Sequence, residues 1–214
     1  MIIYTMNRAC LGLFFGLTLS ACGTQEKSPL ALMTSQYASR VLGGGAPQDE
    51  MTMEQLRAIL TPEVVDQFGG SVLLVETVDK GTAAGFLPVA VNGSAITWMT
   101  QDGQASVSTQ NGALIATRGF GFDLLSAEAP PAFKHGDMPS SQTRQFQHLD
   151  GENQVVTTRY TCDYSRGGSS IQEHCHTVEH DFINTYKATK TGKVLHSRQW
   201  ISPQIGYVVL EAVN

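Results

Sequence analysis

The densest run of potential metal ligands is Glu173-His174-Cys175-His176-Thr177-Val178-Glu179-His180, which gathers imidazoles, a thiol and carboxylates on one short stretch. On an extended strand alternate side chains share a face, so His174, His176 and His180 would project together while Cys175 points the other way. Two imidazoles so spaced suit a zinc or copper ion. The sequence fixes no carboxylate or thiolate as a further ligand. The reading adopted is therefore exposed strand histidines that titrate near neutrality, with no cofactor and with metal handling as the weakest alternative.

A second group is Trp98, Arg118, Asn184, Arg198 and Trp200. Flat indole faces stack on sugar rings while polar side chains exchange hydrogen bonds with hydroxyls, which makes these five the candidate glycan-contacting residues. Packing of the two tryptophans in a core or rim is the simpler account of them. Hydrolytic chemistry has less to stand on. No Gly-x-Ser-x-Gly elbow occurs, and Gly43-Gly44-Gly45 opens no recognisable phosphate-binding turn. Asp102, Asp123, Asp163 and Asp181 are of the right type for a glycosidase pair, but acids beside turn residues more often serve the turn. No catalytic residue is assigned, and a glycan-modifying enzyme stands as the alternative to a non-catalytic protein.

The start of the chain says where such groups would work. One positive charge, Arg8, precedes an apolar run from Ala9 to Leu19 that is too short for a membrane-spanning helix, which needs roughly 20 apolar residues. This is the layout of a signal peptide. Leu19-Ser20-Ala21-Cys22 resembles the lipobox of bacterial lipoproteins, and the resemblance implies a diacylglyceryl thioether on Cys22, cleavage before it, and acylation of the new amine, typically by palmitate. Each buried CH₂ contributes about 0.8 kcal/mol, so three chains would anchor the protein firmly to a membrane. Gly23, where similar sorting signals carry Asp for inner-membrane retention, points to the outer membrane and a body facing the periplasm.

Removal of residues 1–21 leaves 193 of the 214 residues (214 − 21) and takes away only Arg8, so 13 basic residues (14 − 1) face 19 acidic ones, a balance of −6. Such a surface argues against nucleic acid as a partner. With Cys10 lost and Cys22 acylated, Cys162 and Cys175 remain in an oxidising compartment, and a disulfide between them is expected.

The positioning elements divide into an expected lipidated tether over 22–50 and one β-rich periplasmic domain over 51–214. Gly43-Gly44-Gly45-Ala46-Pro47 lies in the tether and cannot repay its ordering by burial. Thr52 with Gln55 forms a capping-box pattern ahead of Met53, Leu56, Ile59 and Leu60 at helical spacing. Thr61-Pro62-Glu63 supplies a cap, a first-turn proline and an acid for a second short helix. Beyond Ser71 come strand-length apolar segments divided by Asn92-Gly93, Asp102-Gly103, Asn111-Gly112 and Asp150-Gly151, the residue pairs of tight hairpins. The expected strands are 71–78, 89–92, 94–100, 105–110, 113–118, 143–148, 154–162, 172–186, 194–201 and 206–213, with no element in the proline-rich 126–141. The fold class is thus mainly β, an antiparallel meander closing as a sandwich or barrel-like body behind two short helices.

Several stretches together resemble the YjbF/GfcB family of lipoproteins, encoded with the machinery that secretes capsule and other exopolysaccharides. They are Thr97-Trp98-Met99-Thr100-Gln101-Asp102-Gly103, the run Asn111 to Leu124, Phe182-Ile183-Asn184-Thr185-Tyr186, and Ser197-Arg198-Gln199-Trp200-Ile201-Ser202-Pro203, joined by Thr61-Pro62-Glu63 and the lipobox. Phe120 stands where the family usually has Leu, and the segment from Cys162 to Cys175 has no clear counterpart. The resemblance implies a non-catalytic accessory to polysaccharide export or assembly whose partners are the membrane, the exopolysaccharide and other secretion proteins.

Overall fold

The computed structural model describes residues 51–134, 136, 138–149, 152 and 154–214. The signal segment, Cys22, the tether and the Asp150-Gly151 pair lie outside the described residues. Helix α1 spans Met53–Ile59 and α2 spans Pro62–Gln67. The capping box of α1 is complete: Thr52 accepts from the Gln55 amide, and the Gln55 side chain accepts from the Thr52 amide. Thr61 caps α2 by position only, because its hydroxyl serves the Glu63 carboxylate instead of a backbone amide.

Twelve strands follow. They are β1 (Val72–Thr77), β2 (Thr82–Asn92), β3 (Ala95–Met99), β4 (Ser106–Gln110), β5 (Ala113–Arg118), β6 (Leu124–Ala127), β7 (Ser141–Leu149), β8 (Val155–Gly167), β9 (Ser170–His176), β10 (Asp181–Ala188), β11 (Val194–Ser202) and β12 (Gly206–Val213). All pair antiparallel in the order β5-β4-β3-β2-β1-β12-β11-β10-β9-β8-β7-β6. The sheet is nearly a closed barrel. Its end strands β5 and β6 meet through side chains: Arg118 donates to the Leu124 and Leu125 carbonyls, and Thr117 accepts from the Leu124 amide while donating to Asp123.

Of the hairpin pairs read from sequence, Asn111-Gly112 is itself a two-residue turn, whereas Asn92 pairs with Ala95 so that Gly93-Ser94 makes the β2–β3 turn, and Asp102-Gly103 lies in a longer loop between β3 and β4. Asn111 and Gly112 both take positive φ, 53° and 81°, the conformation a two-residue β4–β5 turn requires. Gly112 has a second reason to lack a side chain, since a Cβ there would lie 2.5 Å from that of Val194. β5 and β11 approach each other across the barrel at this point. Gln199 on β11 reaches across to accept from the Leu114 amide and to donate to the Gly112 carbonyl.

Two cores result. The larger fills the barrel with inward residues of every sheet region, among them Leu73, Phe86, Val107, Leu114, Phe146, Ile171, Phe182, Tyr186 and Leu210. The smaller lies between the helices and the outer face of β1, where Met53, Leu56, Leu60 and Val65 cover Val72 and Leu74. Covering both faces of β1 explains its unbroken apolar run Val72-Leu73-Leu74-Val75.

Three expectations need correction. The strand placed over 172–186 is two strands with a turn at 177–180, closed by Thr177, which exchanges backbone and hydroxyl hydrogen bonds with His180. β2 begins at Thr82, well before residue 89, and changes partner at a bulge beside Pro88, which has no amide for the ladder. Part of the stretch left without structure forms β6, while Phe133 beyond it is fully buried.

Candidate functional site

β8 from Arg159 to Ser165, and β9 and β10 throughout, alternate between buried and more exposed residues, and this alternation sorts the sequence candidates. On the inside of β9, Cys175 is disulfide-bonded to Cys162 on β8, as expected. On its outside, His174 and His176 sit with ring centres 5.4 Å apart. His174 Nε2 lies 3.3 Å from Asp181 Oδ2 on β10, and His176 Nε2 lies 3.1 Å from Asp163 Oδ2 on β8. The Ser141 hydroxyl and His176 hold the Asp163 carboxyl below its usual range.

His180 does not join them. The turn reverses the chain before it, so the expected common face is broken. Its ring packs 5.0 Å from that of Trp200, and Nδ1 is 3.3 Å from the Tyr160 hydroxyl.

The barrel interior holds a charged centre that the sequence reading missed. Glu173 on β9 is fully buried, and its carboxylate takes four donors: Arg144 at 2.6 Å, Tyr164 at 2.8 Å, Asn184 at 2.8 Å and Tyr186 at 2.9 Å. Arg144 is 1% exposed, donates also to the Glu128 carbonyl, and stands over the Phe146 ring. Burial opposes the Arg144 charge, but the facing carboxylate outweighs it and the guanidinium pKa rises. Burial first, and the Glu173 charge next, push both phenols well above the ordinary tyrosine value, so they stay protonated donors. Cys162, Glu173 and Cys175 lie close enough to resemble a metal site. The thiols are consumed by the disulfide and the carboxylate by its donors, so this group has no free ligand. A signal existed: Glu173 alternates with Ile171 and Cys175, which places an acid on the apolar side of its strand.

The five candidate glycan contacts are not one surface. Asn184 is 2% exposed, donates to Glu173 and accepts from the Trp200 amide. Trp200 is buried and stacked on Phe182 at 4.4 Å. Arg118 is exposed at the β5–β6 seam, and Arg198 lies over the Tyr207 ring at 3.4 Å. Trp98, at 6% exposure, is about as buried as Trp200, but it lines a cavity among the described residues. Its indole N–H donates to Thr109, and it lines an opening of about 380 Å³ whose walls include Leu73, Ile96, Val194 and Leu210. Lys134 and Lys193, both exposed, stand among the lining residues with Ser94, Asn111 and Thr191. The remaining acids of the glycosidase idea are turn residues: Asp102 accepts from Thr100 and the Gln104 amide, and Asp123 from Thr117 and the amides of Gly119 and Phe120.

Residues 48–213 match the model of one protein family, whose description reads group 4 capsule polysaccharide lipoprotein gfcB, YjbF. That span takes in both helices and all twelve strands of the described residues. Among solved structures, the hypothetical lipoprotein YmcC from Escherichia coli (K12) is similar at a TM-score of 0.58 and 17% identity, over 78% of this chain and 98% of that one. At that identity the likeness concerns the fold. No curated protein matches the chain.

Proposed function

The chain belongs to the YjbF family of group 4 capsule polysaccharide lipoproteins, and from that membership we propose that it serves capsule or exopolysaccharide assembly by holding the glycan in the cavity that Trp98 lines. Membership carries the role in polysaccharide assembly, and the family gives no indication of catalysis. The holding step rests on the cavity. About 380 Å³ is room for one or two sugar units. An aromatic and aliphatic wall suits the apolar face of a pyranose, and the Ser94, Asn111 and Thr191 side chains suit its hydroxyls. Two lysines at a cavity of an acidic protein favour a sugar that carries a carboxylate or phosphate.

Delivery is part of the same proposal. Acylated Cys22 would anchor the body to the outer membrane, facing the periplasm, as the lipobox implies. No helix among the described residues is long and apolar enough to cross a membrane. Intact mass of the native protein checks this, with the mature chain expected to begin at Cys22 and to carry three acyl groups.

Trp fluorescence tests the cavity, because of the chain's two tryptophans Trp98 is among the residues that line it and Trp200 is not. Titration with oligosaccharides of the host's own exopolysaccharide should change the emission of the protein and leave Trp98→Phe silent. A glycan-independent signal, or equal signals from both proteins, would rule the cavity out. Reducing ends released steadily from the polymer by purified protein would rule out the non-catalytic reading.

A further inference from the structure

We infer that His174, His176, Asp163 and Asp181 form a surface site for a borderline transition-metal dication, zinc being the probe of choice. The four come from three adjacent strands and one outer face, and the sheet register brings them together crosswise. Asp163 is the Cα partner of His174 yet its carboxylate reaches His176, and Asp181 is the Cα partner of His176 yet reaches His174. Each histidine thus has a carboxylate on both neighbouring strands within a diagonal of the pleat.

The spacing of the rings fits coordination. Two imidazoles bound to one tetrahedral zinc at about 2.0–2.1 Å have ring centres roughly 5 Å apart. His174 and His176 are already at 5.4 Å. The two Nε2 atoms turn to carboxylates on opposite neighbouring strands, so the four donors do not yet converge, and rotation of the exposed side chains has to exchange two His–Asp hydrogen bonds for metal ligation. All four side chains are accessible to solvent, with exposures of 42–69%, and Asp163 would also keep its bond from the Ser141 hydroxyl. Two neutral imidazoles and two carboxylates balance the charge of a dication, and nitrogen with oxygen donors selects zinc, copper or nickel over calcium or magnesium.

The scaffold is rigid where the site needs it. Cys162 precedes Asp163 and Cys175 separates the two histidines, so the disulfide on the inner face locks the register of β8 against β9 behind the quartet. Asp181 opens β10 immediately after the Thr177–His180 turn. Coordination would therefore staple three strands from outside where the disulfide joins two from inside. His180 has no part in it, being held against Trp200 and Tyr160.

The test is zinc titration of the full mature chain, purified without affinity histidines and kept oxidised, read by calorimetry and by competition with a chelating dye. One zinc per chain is expected, together with a zinc-dependent rise in Tm. His174→Gln/His176→Gln should abolish binding, Asp163→Asn should weaken it about tenfold or more, and His180→Gln should leave it unchanged, all with unaltered far-UV circular dichroism. Absence of binding at submillimolar zinc, or binding that survives the double substitution, overturns the site. Loss of binding in His180→Gln overturns the assignment of ligands.

Discussion

Glu173→Ala is the sharpest probe of what holds this barrel in one arrangement. The substitution removes a carboxylate with four donors and leaves a guanidinium of 1% exposure without its counter-charge. Breaking a buried pair from one side costs about 3–5 kcal/mol, because the surviving charge is desolvated and unpaired. The hydroxyls of Tyr164 and Tyr186 and the Asn184 amide also lose their acceptor, and each buried orphan adds about 1–3 kcal/mol unless water enters. A loss of at least about 4 kcal/mol is expected, against a total of about 5–15 kcal/mol for an ordinary domain. In Tm this is a fall of about 8–16 °C, at about 2–4 °C per kcal/mol for a chain this long. Urea unfolding followed by circular dichroism at neutral pH gives the figure directly. The double variant Glu173→Leu/Arg144→Met should cost much less than the sum of its single changes, since no charge is left stranded. A cost below about 1 kcal/mol for Glu173→Ala, with an unchanged m-value, would refute the reasoning and show the centre to be hydrated.

Two further outcomes follow from the same interior. Replacing both Cys162 and Cys175 with Ala removes the bridge, about 3 kcal/mol by loop closure for a separation of 13 residues, and also two fully buried sulfurs from the core, so urea unfolding should show a loss of at least about 3 kcal/mol. His148 is held below its ordinary value near 6.5, first by burial and then by the His180 charge, against the hydrogen bond its Nε2 makes to the Ile201 carbonyl. Its folded pKa being depressed, the stability it contributes is present above about pH 6.5 and is lost as pH falls through the folded value. The urea midpoint should therefore drop between about pH 7.5 and about pH 5.5, and His148→Gln should flatten that drop. An equal slope in both proteins would assign it to other groups.

The parts of the fold that announce themselves in sequence are those decided locally. β5 begins and ends where the apolar run beside Asn111-Gly112 says it should, and α1 starts at a capping box whose two hydrogen bonds are both made. Elements decided by distant neighbours are harder to see. Thr177-Val178-Glu179-His180 has no glycine, proline or asparagine, so its turn rests on a threonine hydroxyl and the stretch from Gln172 to Tyr186 looks like one strand. The early half of β2 looks broken by Gly81, Gly85 and Pro88, yet β1 beside it supplies a partner. The site follows the same division. His174 and His176 share a face because two residues separate a strand's like-facing side chains, a rule readable from the string. Asp163 and Asp181 meet them only through the register of three strands, and the cavity beside Trp98 is lined by residues of β3, β11 and β12 that are far apart in sequence. Trp200 and Asn184 are of the right type for sugar but lie inside the barrel, Asn184 on the strand face it shares with Phe182 and Tyr186.

The seam between β5 and β6 bears on how copies of this protein behave beside one another. An open sheet ends in a row of bare amides and carbonyls that can recruit a neighbour's backbone and propagate into fibres. Here the two margins face each other, one of them only four residues long, and Arg118 occupies the carbonyls of Leu124 and Leu125. Molecules gathered at high local density therefore find no long backbone template on one another among the described strands, and crowding need not become polymerisation.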